Sequence, residues 1–350
     1  MTQKMTGVQR FSEQVTTELL RMSDEYTVIA PEVALRSDSS IDEGRILRIG
    51  GRSGHLWEQL DLPKFLASNG RPMLLNLAST APAFYANQFS THHDITYVRH
   101  PESFSPKFRM LYRVLVPRIL RSSRKIVTVS EFSRGEISDH YGLDPKKFLV
   151  VKNAAGDMFR PGADHFEEND RVPYFLAVSS PNLHKNFERL VEAFLKFRNA
   201  SGSRSRLLII GDQAKSFSQQ ASRTDLPGIV EYVGRVDDAR LVKLYQEARA
   251  FVFPSLYEGF GIPPVEAQQC GCPVISSTAA SLPEVLGDSV EYFDPYATDS
   301  IVQALARVDS DENLRRSLHE RGLANAARYS WQDSAAVIHS ALQEGKANNS

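Results

Sequence analysis

Short apolar runs alternate with helical segments along most of the chain, and a polar stretch near its middle divides the alternation into two series of six. Apolar runs of this length between amphipathic segments are typical of buried strands in parallel sheets. The sequence therefore predicts an α/β protein with two doubly wound, Rossmann-like domains, at 1–163 and 172–331. The predicted strands lie at 26–31, 45–50, 73–79, 95–100, 125–130, 148–153, 174–179, 206–211, 229–233, 250–254, 273–276 and 290–293.

The composition excludes several classes of protein. Hydrophobic residues make up 42% and charged residues 24% of the 350, as in soluble globular proteins. The chain contains no apolar run long enough for a transmembrane helix, and its N-terminus does not resemble a signal peptide. A net charge of −1 argues against nucleic-acid binding. The two cysteines, Cys270 and Cys272, are too close for a comfortable disulfide and have no neighbouring His/Cys cluster that would indicate a metal site.

The loop after the run at 250–254 combines two carboxylates with two glycines. Glu258-Gly259-Phe260-Gly261 is followed by a proline pair that suits a helix start, and Glu266 falls on that helix. Glycines allow a ligand to approach the backbone, and such loops at the carboxyl ends of parallel strands are where α/β proteins bind ligands. Carboxylates there can accept hydrogen bonds from sugar hydroxyls. The alternative is an ordinary surface loop with two solvated glutamates.

This stretch resembles the paired-glutamate signature of retaining glycosyltransferases of family 4, which have the GT-B architecture. The resemblance covers nearly the entire chain from Thr6. It implies two Rossmann-like domains that face a cleft, with the final helix at 332–350 packed back on the first domain. In that family the first glutamate faces the donor hexose and the second holds the nucleotide ribose. The resemblance implies these roles for Glu258 and Glu266, with Gly259, Phe260 and Gly261 as further donor contacts.

A lysine near a helix start suits the donor diphosphate. The ammonium of Lys185 and the helix dipole would act on one spot, although a surface lysine beside a cap is the alternative. The family pattern there is Arg-Lys-Asn, and His184 replaces the arginine. A second family arginine falls near Ser179 and is also missing, so Arg235 or the first domain is expected to supply charge for the donor phosphates. By the same resemblance, the backbone of Gly234 contacts the base.

Two further candidates lie in the first domain. Gly7 opens an amphipathic helix, whose N–H groups could bind an anion or simply need a cap. The resemblance implies a phosphate or acceptor contact at Gly7. His93-Asp94 resembles the family's His-Asp pair at the reacting centre, where the histidine would orient the sugar or the acceptor. A general-base role is not required, and a structural hydrogen-bonded pair is the alternative.

The N-terminus departs from the family pattern. Relatives place a complete strand before the glycine loop, whereas five residues precede Thr6 here. The first strand of the N-terminal domain is therefore expected to be missing, which would expose the edges of its neighbours. Poor folding is expected for this chain.

Basic residues concentrate in the first half. Residues 1–160 contain 22 Lys and Arg against 17 Asp and Glu, and the remainder contains 19 against 25. The segment 107–125 predicts a basic amphipathic helix that either contacts an anionic membrane surface or presents a solvated face. Its seven basic residues are Lys107, Arg109, Arg113, Arg118, Arg121, Arg124 and Lys125.

These features together predict a retaining, metal-independent hexosyltransferase. The expected reaction is transfer of mannose from GDP-mannose to a lipid-linked or polysaccharide acceptor, in surface polysaccharide (O-antigen-like) biosynthesis. No cofactor or metal is expected, and the expected location is the cytoplasm, in peripheral contact with the inner face of the membrane. A sugar-nucleotide epimerase or hydrolase of the same fold is one alternative, and a non-catalytic protein that binds nucleotide-sugars is another.

Overall fold

All strand pairs in the described part of the chain are parallel, as the alternation of apolar runs and helices predicts. The computed structural model describes residues 6–32, 41–162, 172–178, 182–211 and 228–347. The chain divides into two units. The first comprises Met1–Ile95, Phe104–Asn153 and Ser330–Ser350, and the second comprises Thr96–Ser103 and Ala154–Tyr329.

The strands of the described residues match eleven of the twelve predicted runs. They are β1 (Val28–Ala30), β2 (Ile46–Arg48), β3 (Leu74–Asn76), β4 (Gln88–Thr91), β5 (Lys125–Thr128), β6 (Phe148–Val150), β7 (Tyr174–Val178), β8 (Arg206–Ile210), β9 (Val230–Gly234), β10 (Ala250–Phe253), β11 (Val274–Ser277) and β12 (Glu291–Phe293). In the first unit β3-β4-β5-β6 form one sheet, and β1 and β2 form another. The sequence predicts that the first strand is missing before Gly7. Residues 1–5, which precede Thr6, lie outside the described residues, so this stays a prediction.

No helix in the described ranges is long and apolar enough to span a bilayer. The helices are α1 (Gly7–Met22), α2 (Gly54–Leu56), α3 (Leu62–Ser68), α4 (Thr96–Arg99), α5 (Pro106–Ser122), α6 (Glu131–Tyr141), α7 (Phe187–Ser201), α8 (Asp238–Glu247), α9 (Ile262–Gln269), α10 (Leu282–Leu286), α11 (Thr298–Ser310), α12 (Glu312–Ala326) and α13 (Trp331–Ala347). A π-helical stretch, Trp57–Asp61, joins α2 to α3.

The predicted strand at 95–100 is wrong. Residues Thr96–Arg99 of this run form helix α4, and the strand is β4, which begins seven residues before the predicted run. All four residues of β4 are buried although three of them are polar. Each of these polar side chains makes a hydrogen bond in the interior, so the strand carries no apolar signature in the sequence. The bonds join Gln88 to the carbonyl of Pro82, Thr91 to the carbonyl of Asn76, and Ser90 to the hydroxyl of Ser123, each at 2.8 Å.

Helices α1 and α13 pack together in the first unit although they lie at opposite ends of the chain. The ring of Phe11 is fully buried and meets Trp331 edge-on, with centroids 6.1 Å apart. The hydroxyl of Ser334 donates to the carbonyl of Lys152 at 2.5 Å, which fixes α13 beside the end of β6. The C-terminal helix therefore belongs to the first unit.

The second unit contains one sheet, in the order β12-β11-β10-β7-β8-β9. The chain leaves β7 toward β8 on one side, and leaves β10 toward β11 on the other. The strand order therefore reverses between β7 and β10. In open parallel sheets, the crevice at such a reversal is where ligands bind.

Phe11→Ala tests the packing of the first unit. We expect a loss of about 3–5 kcal/mol in the free energy of unfolding, because the ring fills a closed core between α1 and α13. Phe84→Ala is the control, since that ring is 90% exposed, and it should change the free energy little. Urea denaturation measures both variants. Equal losses in the two variants would contradict the packing described.

Candidate active site

The carboxyl ends of β7 and β10 lie side by side, and each strand leads toward a predicted site residue. The turn Leu183–Lys185 comes after β7, and the loop with Glu258 comes after β10. The Nζ atom of Lys185 lies 2.5 Å from Oε1 of Glu258, although 73 residues separate them in the sequence. The structure therefore brings these two predicted residues together at the reversal point of the sheet.

Hydrogen bonds fasten the two loops to each other on both sides of Lys185. The backbone N–H of Leu256 donates to the carbonyl of His184 at 2.7 Å. Asn186 has a left-handed backbone (φ 59°), which asparagine tolerates better than most residues. Its side-chain amide donates to the carbonyls of Pro254 and Pro295, at 3.1 and 2.9 Å. The position of the lysine is therefore set by backbone contacts.

The loop of Glu258 is equally well held. The hydroxyl of Ser281 donates to the carbonyl of Glu258 at 2.9 Å. Gly261 has a φ of +89°, and a Cβ there would lie 2.8 Å from Cδ2 of Leu282, so only glycine fits without strain. Phe260 is buried edge-on against Tyr329 with centroids 5.3 Å apart. The Phe260 side chain therefore packs the loop in place.

The ion pair is partly buried. The side chains of Lys185 and Glu258 are 20% and 14% exposed, and the ammonium lies 5.6 Å from the centroid of the Phe253 ring. Opposite charges attract more strongly in such surroundings than in water, and each charge needs a partner there. An anion that binds Lys185 must therefore compete with the carboxylate of Glu258.

The other predicted donor residues of the second unit occupy different positions. Glu266 lies on α9 and is 4% exposed, so its carboxylate is part of the interior. Gly234 ends β9 with a φ of +76° and has open space where a Cβ would be, and Arg235 beside it is exposed. These two residues lie at the same edge of the sheet as Lys185. Ser179 lies outside the described residues.

His93 is buried in the first unit and lies edge-on to the Phe11 ring, with centroids 4.9 Å apart. Burial lowers the pKa of His93 to about 4, although Asp94 and the backbone of Leu77 act to raise it. Its Nε2 atom is buried and accepts no hydrogen bond from the described residues. Because the ring is neutral and the backbone of Leu77 is already its hydrogen-bond partner, Nε2 is the ring nitrogen that is open to a further partner.

Gly7 is the first residue of α1 and is exposed. The side chain of Thr6, at the N-cap position, makes no capping hydrogen bond to the helix. The helix N-terminus therefore keeps backbone N–H groups that an anion could approach.

The aspartates with spacings that could suit a metal ion have structural roles. Asp309 and Asp311 form the sequence Asp-x-Asp, but Asp309 accepts from Ser205 at 2.9 Å and Asp311 caps α12. Asp237 caps α8 by accepting from the N–H of Arg240 at 2.7 Å. In the described ranges, no three His, Cys, Asp or Glu side chains cluster as metal ligands would.

A cavity of about 800 Å³ lies elsewhere in the second unit, and none of the predicted site residues lines it. It is bordered by the first residues of β7 and β8, at the opposite end of the strands from Lys185. Its walls include four arginines: Arg198, Arg204, Arg206 and Arg240. The cavity therefore lies at the end of the sheet opposite the predicted site residues.

Two residues that contact the neighbours of the ion pair, His100 and Ser103, are not identifiable from the sequence. Ser103 Oγ lies 2.9 Å from Nδ1 of His184, and the His100 ring lies 5.9 Å from the ring of Tyr257. Both belong to the segment that was predicted as a strand and its exit. A histidine and a serine in such a segment carry no recognisable motif.

Comparisons with known proteins find relatives for both halves. The family model of glycosyl transferases group 1 matches residues 163–324, and that of Glycosyltransferase Family 4 matches residues 5–155. The O-antigen chain mannosyltransferase B of Escherichia coli is 32% identical over 255 residues, which cover 70% of this chain and 67% of that protein. The O-antigen chain mannosyltransferase RfbU of Salmonella typhimurium is 30% identical over 263 residues, covering 74% and 70% respectively.

Solved structures resemble the chain over nearly its whole length. Sucrose-phosphate synthase from Thermosynechococcus elongatus has a TM-score of 0.77 at 18% identity, over 98% of this chain and 94% of that one. HepE from Anabaena, solved with UDP and glucose, has a TM-score of 0.77 at 17% identity, over 98% of both chains. WaaG, a glycosyltransferase involved in lipopolysaccharide biosynthesis, has a TM-score of 0.72 at 13% identity, over 96% and 95%. Identities this low establish a shared fold.

Two buried histidines make stability depend on pH. Burial lowers the pKa of both His92 and His93 from 6.5 to about 4, so the unfolded chain binds more protons between these values. Stability is therefore full above pH 6.5 and falls as the pH drops toward 4, by at most about 1.4 kcal/mol per pH unit for each histidine. We expect His92→Gln to reduce the difference between urea denaturation at pH 7 and at pH 5.

His140→Gln is the control for this measurement, because His140 is exposed on α6. It should leave the dependence on pH as in the wild type. An unchanged dependence in His92→Gln would show that burial of this histidine does not govern acid stability.

Proposed function

The chain belongs to glycosyltransferase family 4 and has the GT-B fold, and we propose that it transfers a hexose from a nucleotide diphosphate-sugar to a glycan acceptor with retention of anomeric configuration. The observation that carries this proposal is the contact between Lys185 and Glu258 at the reversal point of the second sheet. One side chain suits the leaving diphosphate and the other suits the hexose, and both face a position where α/β proteins bind ligands.

Binding of the donor exchanges partners within this pair. The ammonium of Lys185 turns from Glu258 to the diphosphate, and hexose hydroxyls replace the ammonium as hydrogen-bond donors to Glu258. Each charge thus stays paired in a partly buried site, where an uncompensated charge would be costly. Without donor, the two residues neutralise each other.

In the transfer step, Lys185 acts on the leaving diphosphate and Glu258 acts on the hexose. The bond between the anomeric carbon and the diphosphate oxygen breaks, and negative charge grows on that oxygen, where Lys185 stabilises it. The acceptor hydroxyl attacks the same face of the sugar, and its proton passes to the departing diphosphate. Because both groups lie on one face, configuration is retained. Glu258 holds the hexose in the reactive orientation.

We propose a further role for His93, a buried residue of the first unit. Its buried Nε2 accepts no hydrogen bond from the described residues, and the pKa of about 4 keeps the ring neutral at physiological pH. A neutral acceptor suits a sugar hydroxyl. We assign His93 an orienting role, with Asp94 beside it, and assign contacts with the diphosphate or acceptor to the N-terminus of α1 at Gly7.

The donor is GDP-mannose in this proposal, and the acceptor is a lipid-linked or polysaccharide glycan of the O-antigen type. The support is the names of two relatives, both O-antigen chain mannosyltransferases of at least 30% identity.

The reaction needs no metal ion in this proposal, since Lys185, with Arg235 at the same end of the strands, supplies positive charge for the diphosphate.

A basic and apolar surface of the first unit suits an acceptor carried by a membrane. On α5 the buried face includes Tyr112 and Val116, while Arg109, Arg113, Arg118 and Arg121 are exposed. Apolar side chains are exposed on the same helix and beside it. They are Met110 and Val114 of α5, Phe84 of the loop between β3 and β4, Leu56 of α2, and Leu60 of the π-helical stretch.

These apolar residues lie on connected elements. The side chain of Gln59 donates to the carbonyl of Ala81 and accepts from the N–H of Ala83, at 2.8 and 2.9 Å. Ala81 and Ala83 pack against Ile119 of α5. Exposed apolar side chains bordered by arginines match the boundary between headgroups and acyl chains of an anionic bilayer. The proposed location is therefore the cytoplasmic face of a membrane.

Glu258→Gln and Lys185→Met test the proposed reaction. Purified protein is incubated with GDP-mannose and membranes that bear lipid-linked O-antigen intermediates, with EDTA present. We expect each variant to lower kcat by about 100-fold or more, because each removes charge that acts on the transition state. The double variant should lose little beyond the worse single variant, since the two residues act as a unit.

Lys196→Met is the matched control, because it removes an exposed ion pair with Asp299 in the same unit. It should transfer at the wild-type rate. Full activity of Glu258→Gln or Lys185→Met would contradict the proposal. Turnover of the donor at the same rate without acceptor would favour a hydrolase or an epimerase, and nucleotide binding without any turnover would favour a binding protein.

Arg113→Glu combined with Arg121→Glu tests the membrane surface. We expect co-sedimentation with phosphatidylglycerol vesicles to fall about tenfold or more, since each basic residue near the surface contributes about 1 kcal/mol. Phe84→Ser should weaken binding further by removing an inserted ring. Lys243→Glu with Arg316→Glu reverses two exposed charges of the second unit and should bind normally. Equal binding by both double variants would rule out this surface.

A further inference from the structure

The segment Thr96–Ser103 precedes α5 in the chain but belongs to the second unit. It consists of helix α4 and a 3-10 turn, Pro101–Ser103. This turn contacts the turn Leu183–Lys185 that carries the lysine of the ion pair. The segment is therefore placed to act on the candidate active site.

Ser103 holds the residue that immediately precedes Lys185. Its hydroxyl oxygen accepts from the backbone N–H of His184 at 3.4 Å and lies 2.9 Å from Nδ1 of the same residue. His184 is buried, at 5% exposure. One hydroxyl thus fixes both the backbone and the ring of His184, and its loss would leave buried polar atoms without this partner.

His100 contacts the residues before both members of the ion pair. Its ring centroid lies 5.9 Å from that of His184 and 5.9 Å from that of Tyr257, which precedes Glu258. The ring is itself held, because Nδ1 of His100 lies 3.0 Å from Oε1 of Glu102. A single imidazole therefore spans the two loops that present Lys185 and Glu258.

We propose that Ser103 and His100 are positioning residues for sugar transfer, acting through His184 and Tyr257 on Lys185 and Glu258. This inference rests on the function proposed above. A lysine side chain has four rotatable carbons and is a flexible ligand for a diphosphate. Because His184 and Tyr257 precede Lys185 and Glu258, holding them in place restricts where the two charges can lie. Small misplacements of reacting groups lower the reaction rate strongly.

Ser103→Ala and Ser103→Thr test the proposal, with Ser310→Ala as a matched control on an exposed serine of the same unit. We expect Ser103→Ala to lower kcat with GDP-mannose about tenfold or more, with a smaller change in the donor KM, because orientation matters most in the transition state. Ser103→Thr keeps the hydroxyl and should recover most of kcat. His100→Ala should behave like Ser103→Ala.

A second readout needs no turnover. Lysines are ¹³C-dimethylated, and the Lys185 signal is assigned by its absence in Lys185→Arg. We expect this signal to shift in Ser103→Ala and to stay in place in Ser310→Ala. An unshifted signal overturns the proposal, as does a loss of kcat that Ser103→Thr shares. If the wild-type protein transfers no sugar at all, the proposed function fails, and the lysine signal still decides the positioning claim.

Discussion

The contact between Lys185 and Glu258 is the interaction on which the rest of the site depends. It forms where the strand order of the second sheet reverses, because β7 and β10 are neighbours whose loops leave in opposite directions. A parallel sheet with this order places two loops at one point and leaves a crevice between them. The fold thus determines where the charges meet, and the two residues determine what chemistry they can serve.

Much of the surrounding structure keeps these charges in place. Asn186 ties the lysine turn to two carbonyls, Ser281 holds the backbone of Glu258, and Gly261 provides a conformation that other residues reach only with strain. Phe260, flanked by two glycines, packs inward against Tyr329. In the Glu-Gly-Phe-Gly sequence, Phe260 and Gly261 therefore fix the geometry of the loop that carries the Glu258 carboxylate.

The sequence predicted the class of fold and most strands because buried parallel strands are apolar and short. Runs such as 250–254 match the observed Ala250–Phe253 closely. The run at 95–100 was predicted as a strand because Ile95, Tyr97 and Val98 favour strands. The observed strand β4 instead buries polar side chains, whose hydrogen bonds form only in the folded chain. Family resemblance identified Lys185 and Glu258 separately. Their contact, and that of Ser103 with His184, joins residues 73 and 81 positions apart, which local patterns do not encode.

A crystal structure of the protein with bound GDP-mannose tests the central claim most directly. The account predicts diphosphate oxygens within hydrogen-bonding distance of Nζ of Lys185, hexose hydroxyls on the carboxylate of Glu258, and the bond between these two side chains broken. Density for the nucleotide-sugar at any other position, for example in the arginine-lined cavity at the far end of the strands, with Lys185 still paired to Glu258, would contradict it.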